Sequence, residues 1–103
     1  MMRLTAVVAL FPDLRESELL AWVDRGWVHP RPSETDWEFQ DIDVARVRLI
    51  HDLHRDMAVQ EETMPLVLSL LDQLYTLRGQ MQAVAQAVQD EAVRNAILAA
   101  LRE

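Results

Sequence analysis

Between Thr63 and Gln89 the apolar residues Val67, Leu70, Leu74, Leu77, Met81, Val84 and Val88 recur alternately three and four positions apart. This is the a and d spacing of a heptad, which sets every member on one seam of a single α-helix. Leu66, Leu71, Tyr75 and Ala85 widen the seam, and only Asp72 and Arg78 in this stretch are charged. Thr63 is a suitable N-cap. Pro65 falls in the first turn, where its missing N–H removes no helix bond. The stretch predicts a rod of roughly 40 Å at a rise of ~1.5 Å per residue. Gly79 is its one soft position, costing about 1 kcal/mol relative to Ala. A rod with so apolar a stripe needs a partner helix, and the simplest partner is the same seam in a second copy. The seven seam residues are therefore the expected dimerisation residues of a homodimer.

The rest of the chain must then be small. Its 103 residues fit one domain with a modest core, and Gly and Pro number only 2 and 4. Ala, Leu, Gln, Glu and Arg dominate, so a mainly α protein is expected. Cysteine is absent, which excludes disulfides and thiolate metal sites and is compatible with a cytoplasmic setting. The opening apolar run, Leu4 to Phe11, is short and leads straight into Pro12-Asp13-Leu14-Arg15. It reads as the first helix of the fold and not as a signal peptide, and no stretch approaches a membrane span.

Arg15 to Arg25 read as a second helix, with Leu19, Leu20 and Val23 as its apolar face and Gly26 as its stop. Two short helices joined by a tight turn outline a helix-turn-helix. Trp27-Val28-His29-Pro30 and Trp37-Glu38-Phe39 flank a loop rich in proline and acids, which predicts a small two-stranded β wing. Asp41 to Met57 read as a third helix, with acids at its start where the helix dipole favours them. Ile42, Ala45, Leu49, Ile50, Leu53 and Met57 share one side, while Val44, Val47, His51 and His54 share the other. Such a helix is expected to be sandwiched. Ala58 to Glu62 form a break, and Asp90 looks like the cap of a short last helix striped by Val93, Ile97 and Leu101. The expected organisation is a winged helix-turn-helix head over residues 1–60 and a long dimerising helix plus terminal helix over 61–103, together one compact domain.

Little in the sequence offers catalysis. His51 and His54 stand at i, i+3, a spacing able to ligate a metal, but no further ligands follow in a recognisable pattern. They read as helix-interface residues. His29 reads as part of the wing. Ser17, Ser33 and Ser69 lack a nucleophile context, and two isolated glycines make no phosphate loop. Trp22, Trp27, Trp37 and Phe39 cluster at helix-to-wing junctions, where a small head needs bulk. No enzyme activity, cofactor or metal is expected.

Charge narrows the partner. The formal net charge is −7, from 17 acids against 10 bases, and every base is an arginine. Acids exceed bases seven to four up to Gln40 and ten to six after it. A surface of this kind repels nucleic acid and favours a basic partner.

The run from Leu19 to Pro30, LLAWVDRGWVHP, resembles the second helix and wing entry of MerR-type winged-helix proteins, and Asp43 to Ile50, DVARVRLI, resembles the start of their third helix. The chain is more closely similar to the CbpM family of chaperone modulators. The shared blocks are the Gly26-Trp27-Val28-x-Pro30 turn, the Trp37-x-Phe39 strand, the DVARVRLI helix start and the run Val67 to Arg78, VLSLLDQLYTLR. The resemblance covers about Leu4 to Arg78 and leaves the last helix unassigned. It implies binding to the J-domain of a DnaJ-like co-chaperone of the CbpA type, blocking its engagement of the Hsp70 chaperone DnaK and damping the co-chaperone's own DNA binding. A J-domain presents a basic helix to Hsp70, so an acidic competitor is physically sensible. The acidic edge formed by Asp52, Asp56, Glu61 and Glu62 is the expected partner contact. The rival is a MerR-like DNA-binding transcriptional regulator, against which stand Glu16, Glu18 and Asp24, opposed by only Arg15 and Arg25, on the helix that would enter the major groove. An interaction module for another basic helical partner is a third reading.

Overall fold

A computed structural model describes residues 1–102. The fold is mostly helical with a small antiparallel sheet, as the sequence predicts for a winged helix-turn-helix. The elements run β1 (Met2–Arg3), α1 (Leu4–Ala9), α2 (Glu16–Asp24), β2 (Arg31–Pro32), β3 (Trp37–Phe39), α3 (Asp41–Arg55), α4 (Met64–Ala87) and α5 (Glu91–Leu101). The chain divides into two compact units, one ending at Pro65 and one starting at Leu66.

In the first unit the wing has three strands in the order β1-β3-β2 and not two. The added strand is Met2–Arg3, with Met2 opposite Phe39 and Arg3 opposite Glu38. Its two residues are too few for any alternation to be legible. The strand expected at Trp27 to Pro30 lies instead at Arg31–Pro32, because Trp27 and Val28 are drawn into the core at 6% and 1% exposure.

The core is built by the two aromatic-rich junctions. Val7, Phe11, Leu14, Leu19, Trp22, Trp27, Val28, Phe39, Val47, Ile50, Leu53 and Met64 are all buried. Trp22, Trp27 and Phe39 are thus core residues, as their clustering predicts, while Trp37 stays half-exposed. On α2 the buried pair is Leu19 and Trp22, whereas Leu20 is 41% exposed and Val23 is intermediate. The expected Leu19–Leu20–Val23 face is corrected by one helical step. Two apolar rows, Leu19/Trp22 and Leu20/Val23, lie about 100° apart, and the row with the larger side chain goes inward.

Helix α3 is likewise one-sided. Val47, Ile50 and Leu53 are buried, while Ile42 and Met57 are 74% and 69% exposed. Met57 lies beyond the helix, which ends at Arg55. A capping box starts α3: the Gln40 side chain accepts from the Asp43 backbone, and the Gln40 N–H donates to Asp43 Oδ2 at 2.9 Å. Gly26 sits at φ 77° and ends the α2 segment, as its freedom in the left-handed region predicts.

In the second unit α4 supplies the rod. Leu70, Leu74, Leu77, Met81 and Val84 are all exposed, at 38–56%. Val67 is half-buried, and Val88 lies beyond Ala87 in the connection to α5. The helical part of the seam therefore ends one member early. Asp90 caps α5 through a 3.1 Å bond from the Val93 N–H to Oδ1, as its position predicts.

Candidate functional site

Three surfaces bear on function, two of them on the head. The first is the helix-turn-helix with its wing. Helix α2 is held by its inward row, so Glu16, Ser17, Leu20 and Asp24 face outward. Leu20 and Trp37 line two adjoining depressions, one reaching Pro32 and Asp36 in the wing and the other Val23 and Asp24 on α2. Sharing Leu20 and Trp37, they make one cleft between α2 and the wing, lined also by Leu4, Ser33 and Thr35, with one carboxylate in each depression. None of its lining residues is an arginine, although the Arg3 guanidinium reaches the lining residue Ser33.

The head's arginines are largely engaged elsewhere. Arg55 pairs with Glu18 at 2.8 Å and donates to the Asp13 carbonyl at 2.9 Å. Arg46 Nε donates to the Trp27 carbonyl at 2.9 Å. Arg48 lies over the Phe11 ring at 5.2 Å and Arg25 over Trp27 at 5.1 Å. On the wing, Arg3 donates to Ser33 Oγ at 3.0 Å, and both Arg3 and Arg31 stand opposite Glu38 in register. Burial tends to raise the Glu18 carboxyl, but the hydrogen bond and charge of Arg55 outweigh it and hold the group below its ordinary value.

The second surface is the acidic edge expected from sequence. All four of its acids are exposed. Asp52 is exposed beside His51, with 3.6 Å between Oδ1 and the imidazole Nδ1. Asp56 is exposed at the C-cap of α3. Glu61 and Glu62 do meet, lining a depression with Arg25, Trp27 and Pro65. There Glu61 pairs with Arg25 at 3.3 Å, which neutralises part of the charge.

The histidines have structural settings. The His51 ring packs on Phe11 with centroids 5.2 Å apart, and His54 Nδ1 lies 3.1 Å from the Val59 carbonyl, to which it can only donate. Among the described residues, no group of three or more His, Asp or Glu side chains is placed to hold a metal ion, and no helix is long and apolar enough to cross a membrane.

The third surface is the apolar stripe of α4, where Leu66 at 61% and Tyr75 at 59% extend the exposed seam. Sequence reasoning found this stripe and missed the α2–wing cleft. The available signal was the second apolar row, Leu20/Val23, which cannot be buried when Leu19/Trp22 is.

Residues 7–86, more than three-quarters of the chain, match the family model described as MerR HTH family regulatory protein. The chain belongs to the MerR HTH family. No match was found among the curated proteins or the solved structures. The matched span takes in α2, the wing strands β2 and β3, α3 and nearly all of α4. In this MerR-family member the exposed side chains of α2 are Glu16, Ser17, Leu20 and Asp24, flanked by the exposed Arg15 and Arg25 at its caps.

Proposed function

We propose that this MerR-family protein regulates another protein and not a promoter: a non-catalytic, homodimeric, cytoplasmic modulator that binds the J-domain of a DnaJ-like co-chaperone and hinders its engagement of Hsp70. The observation that carries this reading is the charge of the outward face of α2. Glu16 and Asp24 are exposed there with Arg15 and Arg25 at the helix ends, Arg25 being paired with Glu61. Of the α3 cations, Arg55 is neutralised by Glu18 while Arg46 is tied to the Trp27 carbonyl. With a net charge of −7, the protein attracts a basic helix and repels a polyanion. The resemblance of the blocks from the Gly26-Trp27-Val28 turn to the run Val67 to Arg78 to the CbpM family supports a J-domain as that basic partner. Asp52, Asp56, Glu61 and Glu62 are the proposed contact. Glu61 contributes least charge among them, since it is already paired with Arg25.

Calorimetric titration of the full chain with the J-domain of a DnaJ-like co-chaperone tests the reading. Saturable binding that weakens on raising the salt concentration is expected. No heat and no complex on a sizing column would refute it.

The second reading, a DNA-binding regulator, is favoured by family membership itself. Titration with duplex DNA at low salt separates the two. Affinity that falls steeply with salt, as counterion release requires, would favour this second reading.

A further inference from the structure

The α2–wing cleft is absorbed by neither the acidic edge nor the dimer seam. Its floor is made of Leu20, Val23 and Trp37, with Leu20 41% exposed although it lies in the middle of a helix in the head. Asp24 stands towards one end and Asp36 towards the other. Asp36 is held in place by accepting the Trp37 N–H at 2.7 Å, which fixes a carboxylate next to the aromatic ring. Pro32 in the outer strand has no N–H to offer a further strand, so occupation of the cleft by strand pairing there is disfavoured.

An apolar floor with anionic ends suits one kind of occupant. A polyanion would leave Leu20 and Val23 against its sugars and set two carboxylates against its phosphates. An amphipathic helix with a basic flank satisfies both features, laying its apolar residues on the floor and its cations by the carboxylates. Trp37, half-exposed with its neighbour pinned, is the natural anchor.

We infer that the cleft between α2 and the wing, floored by Leu20, Val23 and Trp37 and ended by Asp24 and Asp36, seats a basic amphipathic helix of a protein partner. The inference rests on the protein-binding reading above and adds a second surface to its acidic edge: the face that a DNA reader of this family architecture turns to the groove is here turned to a helix.

The test uses the full chain labelled with ¹⁵N and, as probe, a synthetic Leu/Lys amphipathic peptide of about four helical turns, long enough to form a helix when bound. The three tryptophans give three separate indole N–H signals. Binding is expected to shift the Trp37 indole while leaving Trp22, which is buried, in place. Two variants separate the cleft from general attraction to an acidic protein. Leu20→Gln leaves the charge unchanged and alters an exposed side chain. Asp24→Arg sets a cation at the last residue of α2, where the helix dipole accepts it. Each is expected to weaken the peptide about tenfold, a typical anchor effect of roughly 1.4 kcal/mol, with the circular dichroism of the fold unchanged. An unmoved Trp37 indole, or unchanged affinity in both variants, overturns the inference, as does duplex DNA that shifts Trp37 and displaces the peptide. The J-domain is titrated in parallel. Binding that survives both substitutions removes the cleft and keeps the J-domain reading. Absence of any J-domain binding removes that reading, and the peptide shifts alone then decide the cleft.

Discussion

Arg55, the last residue of α3, donates to both carboxylate oxygens of Glu18 in α2, 3.1 Å from Nη1 to Oε2 and 2.8 Å from Nη2 to Oε1. The same Nη2 donates to the Asp13 carbonyl in the turn before α2. One guanidinium thus ties the helix-turn-helix to the third helix through a planar two-pronged contact that lysine has no geometry to copy. The pair is about three-quarters buried, at 27% and 23% side-chain exposure.

This contact makes stability depend on acid. The Glu18 carboxyl is held below its ordinary value in the folded state, so its contribution is fully present above the unfolded carboxylate value of about 4.3 and is lost as pH falls through the lower folded value. Glu18→Gln is expected to cost about 1 kcal/mol near neutral pH, the scale of a charge-assisted bond partly screened by solvent. Urea unfolding at neutral pH and near pH ~3 checks it. The gap between the two proteins should narrow at the acid end, and a gap independent of pH would remove the ion pair as its cause.

Ala58 offers the opposite sign. It follows α3 with φ 54°, in the left-handed region, while the Val59 N–H bonds back to the Leu53 carbonyl at 2.9 Å. That conformation costs an L-residue roughly 1–2 kcal/mol and glycine nothing, less the ~0.5–1 kcal/mol that glycine loses in entropy. Ala58→Gly is therefore expected to raise stability by up to about 1 kcal/mol, read as a higher melting temperature.

Arg46 joins two distant parts of the head. Its Nε donates to the carbonyl of Trp27, a residue only 6% exposed, across 19 positions of sequence. Arg46→Ala leaves that carbonyl without this donor, at a cost of about 1–3 kcal/mol. Thermal unfolding should show a clear drop, and the Trp27 indole environment should loosen before the rest of the core.

What was legible in the sequence follows from how local each signal is. The α4 heptad, the Asp90 cap and the Gly26 stop depend on residues within one or two turns of each other, and each matches its expected place, save that the helix ends at Ala87 and leaves Val88 off the seam. The faces of α2 and α3 were misread because hydropathy cannot choose between two apolar rows on one helix. Leu19/Trp22 and Val47/Ile50/Leu53 are the ones buried, in a core that only the folded chain defines. Strand β1 was invisible for a related reason: two residues become a strand only because β3 is there to pair with them. The site shows the same limit. Each acid of the proposed edge is exposed as read, yet Arg25 reaches Glu61 over 36 positions, a pairing no local pattern announces.

The stripe of α4 gives the sharpest prediction about assembly. Leu70, Leu74 and Leu77 are 56%, 43% and 54% exposed and lie on one heptad seam, an apolar surface that a lone helix does not keep in water. Glu at both 74 and 77 would set two carboxylates in the middle of the proposed self-association seam. Sedimentation of the purified chain is expected to give a dimer, and Leu74→Glu with Leu77→Glu a monomer that retains the circular dichroism of the head, since both residues lie outside its core. A soluble dimer in the double variant would place the two-fold contact elsewhere. If it is on this seam, Gly79→Ala should tighten it as well. A Cβ there meets no atom within 4 Å in the single chain, and alanine improves the helix by about 1 kcal/mol, so the dimer should persist to lower concentration.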